Sequence, residues 1–292
     1  MSAERDQRPW LAGDDPARIR ATVVHRYEDG HWQTVVDDVA AEEPLQIQVN
    51  GRDVAVIMRT PGQDRFLAAG FLFSEGIIGS AEDVSDFAFG LDRDGFPQPN
   101  LLDVRLSDSA AITDRVSPRS FPVSSSCGLC GATSVEIVMR RVQPIPLSNT
   151  IAPALLLGLE AKLRGAQAAF SRTGGVHAAG LFDRQGQLML IHEDVGRHNA
   201  VDKLIGGMLL GRQIPLGEHI LLVSGRASFE LVQKATMAGI SLFVAVGAPS
   251  SLAIELAQAA QMTLIGLLRP NRFVVYAWPE RLESACRDEI GG

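Results

Sequence analysis

The second half of the chain constrains the fold most, because short apolar runs alternate there with longer stretches of helical periodicity. Strands are expected at Val176 to Phe182, Leu188 to His192, Ile220 to Val223, Leu242 to Val246, Thr263 to Leu268 and Phe273 to Ala277. Helices are expected at Ala152 to Leu163, capped by Asn149 or Thr150, and at Asn199 to Leu210, Ser228 to Ala238 and Ser251 to Gln261. Strands that alternate with helices imply an α/β layer fold whose sheet is at least partly parallel. In open sheets of that kind the ligand crevice lies at the carboxyl ends of the strands.

The first half reads differently. Residues 1 to 18 combine Pro9, Gly13 and Pro16 with many charges and are expected to form a flexible tail. Short β-like runs follow at Thr22 to His25, Thr34 to Val36, Leu45 to Val49 and Val54 to Met58, with Asn50-Gly51 between the last two as a strong hairpin signal. A helix is expected over Asp64 to Glu75, a loop over Gly90 to Asn100, and strands at Leu101 to Leu106 and Val135 to Met139. Gln143-Pro144-Ile145-Pro146 breaks regular structure and marks a domain boundary. The expected organisation is a tail (1–18), a β-rich N-terminal domain (19–142) and an α/β domain (143–292), α+β overall.

Late in the β-rich N-terminal domain, Ser124-Ser125-Ser126-Cys127-Gly128-Leu129-Cys130-Gly131 holds two of the chain's three cysteines. A thiolate is a nucleophile, and a second cysteine three positions on can exchange with it, share a metal or take over a bound sulfur atom. The flanking glycines free the backbone to present Cys127 to a partner. Structural zinc requires four ligands, and the remaining cysteine is the distant Cys286. A thioredoxin-type dithiol opens a helix, whereas the residues after Gly131 alternate like a strand.

A chain of 292 residues that is 46% hydrophobic can bury a large core. A net charge of -7 without a Lys/Arg cluster argues against nucleic acid or an anionic membrane as partner. No apolar run is long enough to span a bilayer and the polar start lacks a signal peptide, so the expected location is the cytoplasm. An anionic ligand must then be held by local groups. Three polar loops offer them: Thr173 to His177 with Gly174 and Gly175, His192 to Asn199, and Ser224 to Ser228 with Arg226. Glycines, helix-start N–H groups and Arg226 could cradle a phosphate; alternatively Ser228 is only a helix cap and Arg226 a surface charge. The His192 to His198 cluster is either a functional site or a self-satisfied salt-bridge loop, and His177 either a site or a core histidine. Arg269 and Arg272 flank a tight turn in Leu267-Leu268-Arg269-Pro270-Asn271-Arg272, where they could grip phosphate or merely decorate a hairpin tip.

Several stretches together resemble one family, the FdhD formate dehydrogenase accessory sulfurtransferases. They are Glu43-Pro44-Leu45 with Val49-Asn50-Gly51, Gly70-Phe71-Leu72 with Ser74-Glu75-Gly76, Cys127 to Gly131, Thr173 to Ala179, Glu193 to Lys203, Ser224 to Glu230 and Thr263 to Gly266. The resemblance implies a C-terminal domain of cytidine-deaminase-like fold and a sulfur carrier. In that role the chain would take persulfide sulfur from a cysteine desulfurase and pass it to the molybdenum cofactor, bis-molybdopterin guanine dinucleotide, before insertion into formate dehydrogenase. It implies a persulfide on Cys127 with assistance from Cys130, and a guanine-nucleotide site formed by Leu267, Leu268, Arg269, Pro270, Asn271 and Arg272. Gly174, Gly175, His177 and Arg226 are the groups available for the rest of the polyanion. It implies a homodimer and no protein-bound metal. Two other classes stay open: a non-catalytic chaperone of the dehydrogenase or its cofactor, and a zinc-dependent deaminase-like hydrolase. The hydrolase signature, His-x-Glu before Pro-Cys-x-x-Cys, is not matched here.

Overall fold

The computed structural model of the chain describes residues 18–91, 93–107, 143–146 and 150–283. Cys127, Cys130, Cys286, the expected strand Val135 to Met139 and the tail to residue 17 lie outside the described residues.

Strands β1 (Ile19–Glu28) and β2 (His31–Ala40) form a ribbon of their own. Next come β3 (Glu43–Val49) and β4 (Arg52–Arg59), joined at Asn50-Gly51, whose φ angles of 49° and 73° are those the hairpin signal demands. Helix α1 (Asp64–Ser74) follows, then β5 (Val84–Leu91) and β6 (Pro97–Leu106), giving a four-stranded sheet of order β4-β3-β6-β5. The expected loop over Gly90 to Asn100 is mostly strand, since Gly90 pairs with Gln98 and Leu91 with Pro97. The prolines are tolerated because β3 pairs with β6 only from Leu101 onward, so they lie where β6 has one neighbour.

The C-terminal half contains α2 (Pro153–Leu157), α3 (Leu159–Ala166), α4 (Ala168–Thr173), β7 (His177–Phe182), β8 (Leu188–Asp194), α5 (Arg197–Leu210), β9 (Ile220–Val223), α6 (Phe229–Met237), β10 (Leu242–Ala245), α7 (Ser251–Ala259), β11 (Thr263–Arg269) and β12 (Arg272–Ala277). The single helix expected over Ala152 to Leu163 is two short ones that part at Gly158, a residue that weakens any helix interior. The α/β reading holds. The sheet runs β12-β11-β10-β9-β7-β8, with β9, β10 and β11 parallel and the outer strands antiparallel to their neighbours.

Strands β9 and β10 are buried along their whole length, which is why they read as unbroken apolar runs. One sheet face packs on Leu156, Leu159 and Leu163 of α2 and α3. The other joins Val201, Leu204 and Ile205 of α5, Leu231 and Val232 of α6, and Leu256 of α7 into a core that also holds Leu67 and Leu72 of α1 with Leu45, Ile47 and Leu102 of the smaller sheet. The two halves therefore share one apolar core. Its tightest point is the crossing of α1 and α5. A Cβ on Gly70 would lie 1.9 Å from the carbonyl oxygen of Asp202, and one on Gly206 would lie 1.9 Å from that of Phe66.

Candidate functional site

Topology brings the polar loops to one end of the six-stranded sheet. The parallel strands β9, β10 and β11 deliver their carboxyl ends there, as Val223, Ala245 and Arg269. Antiparallel β7 and β12 begin there, at His177 and Arg272, and β8 ends there, with Asp194 opposite His177. Gly174, Gly175, His177, Arg226 and Leu267 to Arg272 thus lie at one end of the sheet, the crevice edge where open sheets of this kind bind ligands.

Backbone hydrogen bonds stitch the crevice floor. The amide of Gly247 donates to the carbonyl of Gly225 (2.9 Å), that of Ser250 to Ala227 (3.0 Å) and that of Leu267 to Gly247 (3.0 Å). Any side chain at Gly247 would collide with this floor, since its Cβ would lie 2.9 Å from both Arg226 Cα and the Gly225 carbonyl oxygen. The loop Val246 to Ser250 is therefore as much part of the site as Ser224 to Ser228. Sequence reasoning passed over it, although it has the same grammar: an apolar strand, then glycine, then serine opening a helix.

Four arginines and two histidines belong to the strand ends, loop and helix start at this end of the sheet. Arg226, Arg269 and Arg272 are exposed, Arg197 is half-buried, and Arg269 donates from Nη1 to the carbonyls of Val246 (2.9 Å) and Leu268 (2.6 Å). Leu267 bulges from β11 with φ of +54°, half-buried, while the Leu268 side chain lies in the apolar core, so only its backbone faces the site. Pro270 and Asn271 are exposed at the turn. Gly174 takes φ of +63° and ends α4, its amide donating to Phe170 (2.7 Å). His177 and Arg197 flank Gly225, whose Cβ would meet His177 Nδ1 at 3.6 Å and Arg197 Cδ at 3.9 Å.

The histidines are held neutral. Burial, then the neighbouring Arg197, depress the His177 pKa. The same two causes, with Lys234, push His198 down to about 4 despite Glu230 at 3.9 Å. Both shifts favour the neutral imidazole, so among the described residues the arginines are the charged donors available to an anion here. Ser228 makes no capping bond to its own helix; its Oγ lies 3.4 Å from His198 Nε2. The Arg197 Nε is buried without a hydrogen-bond partner among the described residues.

The Glu193 to Lys203 run divides into two roles. The Glu193 carboxylate accepts from the amides of Ala169 and Phe170 at the start of α4, both at 2.9 Å, and Arg18 donates to its carbonyl (3.2 Å). Asp194 accepts from the amides of Thr60 (3.1 Å) and Gly196 (2.8 Å), from Asn199 Nδ2 (2.8 Å) and from Lys203 Nζ (2.7 Å). Lys203 also donates to the carbonyl of Thr60 (2.8 Å), and Asn199 to that of Met58 (2.8 Å). Asp202 accepts two bonds from Lys234 (both 2.9 Å) and one from Ser74 Oγ (3.1 Å). Asp194, Asn199, Asp202 and Lys203 are thus buried ties between the two halves, while the Glu193 carboxylate holds the start of α4. His192 is likewise structural: its Nδ1 bonds Gln63 Oε1 (3.0 Å), and burial lowers its pKa to about 3. Arg197 and His198 face the crevice; what separates them from their neighbours is burial, which spacing does not disclose. Among the described residues no group of three or more His, Cys, Asp or Glu side chains could hold a metal ion.

Residues 40–283 match the FdhD/NarQ family. The chain belongs to that family. Among curated relatives, the sulfur carrier protein FdhD of Streptomyces coelicolor is 46% identical over 92% of this chain and 96% of its own. That of Sulfolobus acidocaldarius is 42% identical over 91% and 99%. The fold agrees with a crystal structure of a candidate formate dehydrogenase accessory protein from Desulfotalea psychrophila, at a TM-score of 0.71 and 26% identity over 91% of this chain and all of the other.

Proposed function

We propose that this FdhD/NarQ family member is a sulfur carrier that supports maturation of formate dehydrogenase. Cys127 is the acceptor. Its thiolate attacks the outer sulfur of a persulfide on a cysteine desulfurase; a new S–S bond forms on Cys127, the donor S–S bond breaks, and the donor leaves as thiolate. This loading step needs no external oxidant or reductant. In delivery the Cys130 thiolate attacks Cys127 Sγ, a Cys127–Cys130 disulfide forms, and the outer sulfur leaves with the electron pair of the broken S–S bond as sulfide; a cellular thiol reductant then restores both cysteines. The acceptor of the sulfide is the molybdenum of bis-molybdopterin guanine dinucleotide, a cargo carrying pyrophosphates and guanines.

The observation that supports the reading, beyond the relatives named sulfur carrier, is the placement of Arg197 and Arg226 beside Gly225 and Gly247, with Arg269 bonded to Val246 and paired in register with Arg272, in a chain of net charge -7. Such an arrangement suits a phosphorylated ligand, because guanidinium forks pair with phosphate oxygens and glycine lets the ligand approach the backbone. The neutral His177 and His198 add hydrogen-bonding capacity without charge.

The test is complementation of a strain lacking its own copy of this gene, with formate dehydrogenase activity as readout and soluble protein as control. Cys127→Ala is expected to abolish activation at wild-type protein levels. Full activation by that variant would overturn sulfur transfer and leave a chaperone of the dehydrogenase or its cofactor.

A further inference from the structure

The ribbon of β1 and β2 belongs to neither larger sheet. An isolated two-stranded ribbon is marginal in water and needs a further layer. It is tied down at its base, where Arg18 bonds Glu193, Arg172 pairs with Asp38 (2.8 Å) and the Ala41 amide donates to the Arg18 carbonyl (2.9 Å). The cross-strand register places Ala21, Val23, His25 and Tyr27 of β1 on one face with Asp38, Val36, Thr34 and Trp32 of β2. On that face Val23, Tyr27, Trp32 and Val36 are 61–72% exposed, and the two rings pack on each other with centroids 5.1 Å apart. Its polar members already have partners: Asp38 pairs with Arg172, and His25 Nδ1 lies 3.1 Å from Thr34 Oγ1. The charges of the ribbon, Arg20, Arg26, Glu28 and Asp37, are on the opposite face.

The chain enters this ribbon at its base. Residues 1–17, outside the described residues, hold one apolar run, Pro9-Trp10-Leu11-Ala12, and Gly13 and Pro16 supply turn residues between that run and the ribbon. Trp10 stands eight residues before Arg18, and Tyr27 nine after it. At about 3.3 Å per extended residue, a segment folded back along the ribbon reaches roughly 26 Å, the level of Tyr27 and Trp32. A reverse turn over Gly13 to Pro16 shortens the reach to roughly 13 Å, the level of Val23 and Val36. In either case the apolar run is carried to the apolar face.

We infer that the face formed by Val23, Tyr27, Trp32 and Val36 is the docking surface for this chain's own N-terminal segment, with Trp10 and Leu11 as anchors. Three observations select that occupant. At roughly 150–250 Å² per aromatic side chain the face presents on the order of 600 Å², the least that a specific interface between separate molecules needs on each side. A tethered segment meets no such threshold, because its effective concentration is of millimolar order. Next, each piece supplies what the other lacks: the ribbon needs a layer over its bare face, and a segment this polar has too little apolar surface to order by itself. Finally, face and segment are consecutive in the chain and both precede the family match, which begins at residue 40, so the pairing is local and calls on no element of the shared fold. The inference does not depend on the sulfur-carrier reading.

The experiment is photo-crosslinking of the full chain carrying Val36→p-benzoylphenylalanine, irradiated at roughly 1 µM, below the weak-dimer range. The expected product has the mass of one chain, and peptide mass spectrometry places its crosslink in residues 9–12. Adding Trp10→Ser and Leu11→Ser should lower that product about tenfold, because the aromatic anchor is gone. The same probe at Gln33, on the opposite face, should not capture the segment. Circular dichroism confirms the fold of each probe variant, and His25 takes the probe should Val36→p-benzoylphenylalanine misfold. A crosslink to a second chain, a crosslink only to other parts of the same chain, no crosslink at all, equal capture from Gln33, or undiminished capture after the two serine substitutions would each overturn the proposal.

Discussion

Replacing Asp194 by asparagine isolates what the buried tie between the two halves contributes. Asp194 and Lys203 are both fully buried and 2.7 Å apart. An asparagine can still accept from the Gly196 amide and Asn199 Nδ2 through its oxygen. Its amide nitrogen then faces two donors, the Thr60 amide and Lys203, and the ammonium keeps only the Thr60 carbonyl. Breaking one side of a buried ion pair costs about 3–5 kcal/mol, which lowers Tm by roughly 6–15 °C in a chain of this size. The sign of the pH dependence is also fixed. Burial already depresses the Lys203 pKa, and Asp194 is the first group opposing that depression. Without Asp194 the lysine falls further below its unfolded value, so the unfolded state binds the extra proton and the variant gains stability as pH rises toward 10. Thermal and urea unfolding of wild type, Asp194→Asn, Lys203→Met and the double variant, at pH 7 and 9, reads both effects. The double variant is expected to recover at least about 1 kcal/mol relative to Asp194→Asn, because no orphan charge remains. A single variant within about 1 kcal/mol of wild type, or one less stable at pH 9, would refute the reasoning.

Three further outcomes are expected. Gly206→Ala drives a methyl group to 1.9 Å from the Phe66 carbonyl, so it should lower stability by about 3 kcal/mol or more, measured by urea unfolding or lost with soluble expression. His192, held near pKa 3 by burial, stays neutral when folded but protonates when unfolded below about pH 6.5; stability should therefore fall as pH drops from about 6.5 toward 3, and His192→Leu should flatten that slope in acid titrations. Arg226→Ala combined with Arg272→Ala should weaken binding of a guanine nucleoside diphosphate about tenfold or more in calorimetry, without changing Tm of the free protein by more than about 1 °C.

Much of the α/β half was legible because its signals are local and consistent. Ile220 to Val223 is a pure apolar run bounded by polar turns, and it is strand β9 to the residue. The Asn50-Gly51 hairpin was legible for the same reason, since its positive φ values are written in the residue types. The ribbon was seen only in fragments, Thr22 to His25 and Thr34 to Val36. Burial does not phase it: its apolar residues are exposed, so alternation against a core is weak. The Gly90 to Asn100 loop was misread because proline was taken to break a strand, whereas a strand with one neighbour tolerates it. At the site, loop positions around the crevice followed from the strand pattern. The division of Glu193 to Lys203 into buried ties and crevice residues did not, because it depends on Met58 and Thr60 more than 130 residues away. Gly70 and Gly206 were also opaque, since only the helix crossing shows why neither tolerates a Cβ.

The central claim, that Cys127 carries sulfur, is tested most directly by intact mass measurement after incubation with a cysteine desulfurase and cysteine. The account predicts a gain of one sulfur atom, about 32 Da, in wild type and Cys130→Ala, reversed by a thiol reductant and lost in Cys127→Ala. An unchanged wild-type mass, or a gain that persists without Cys127, would contradict it.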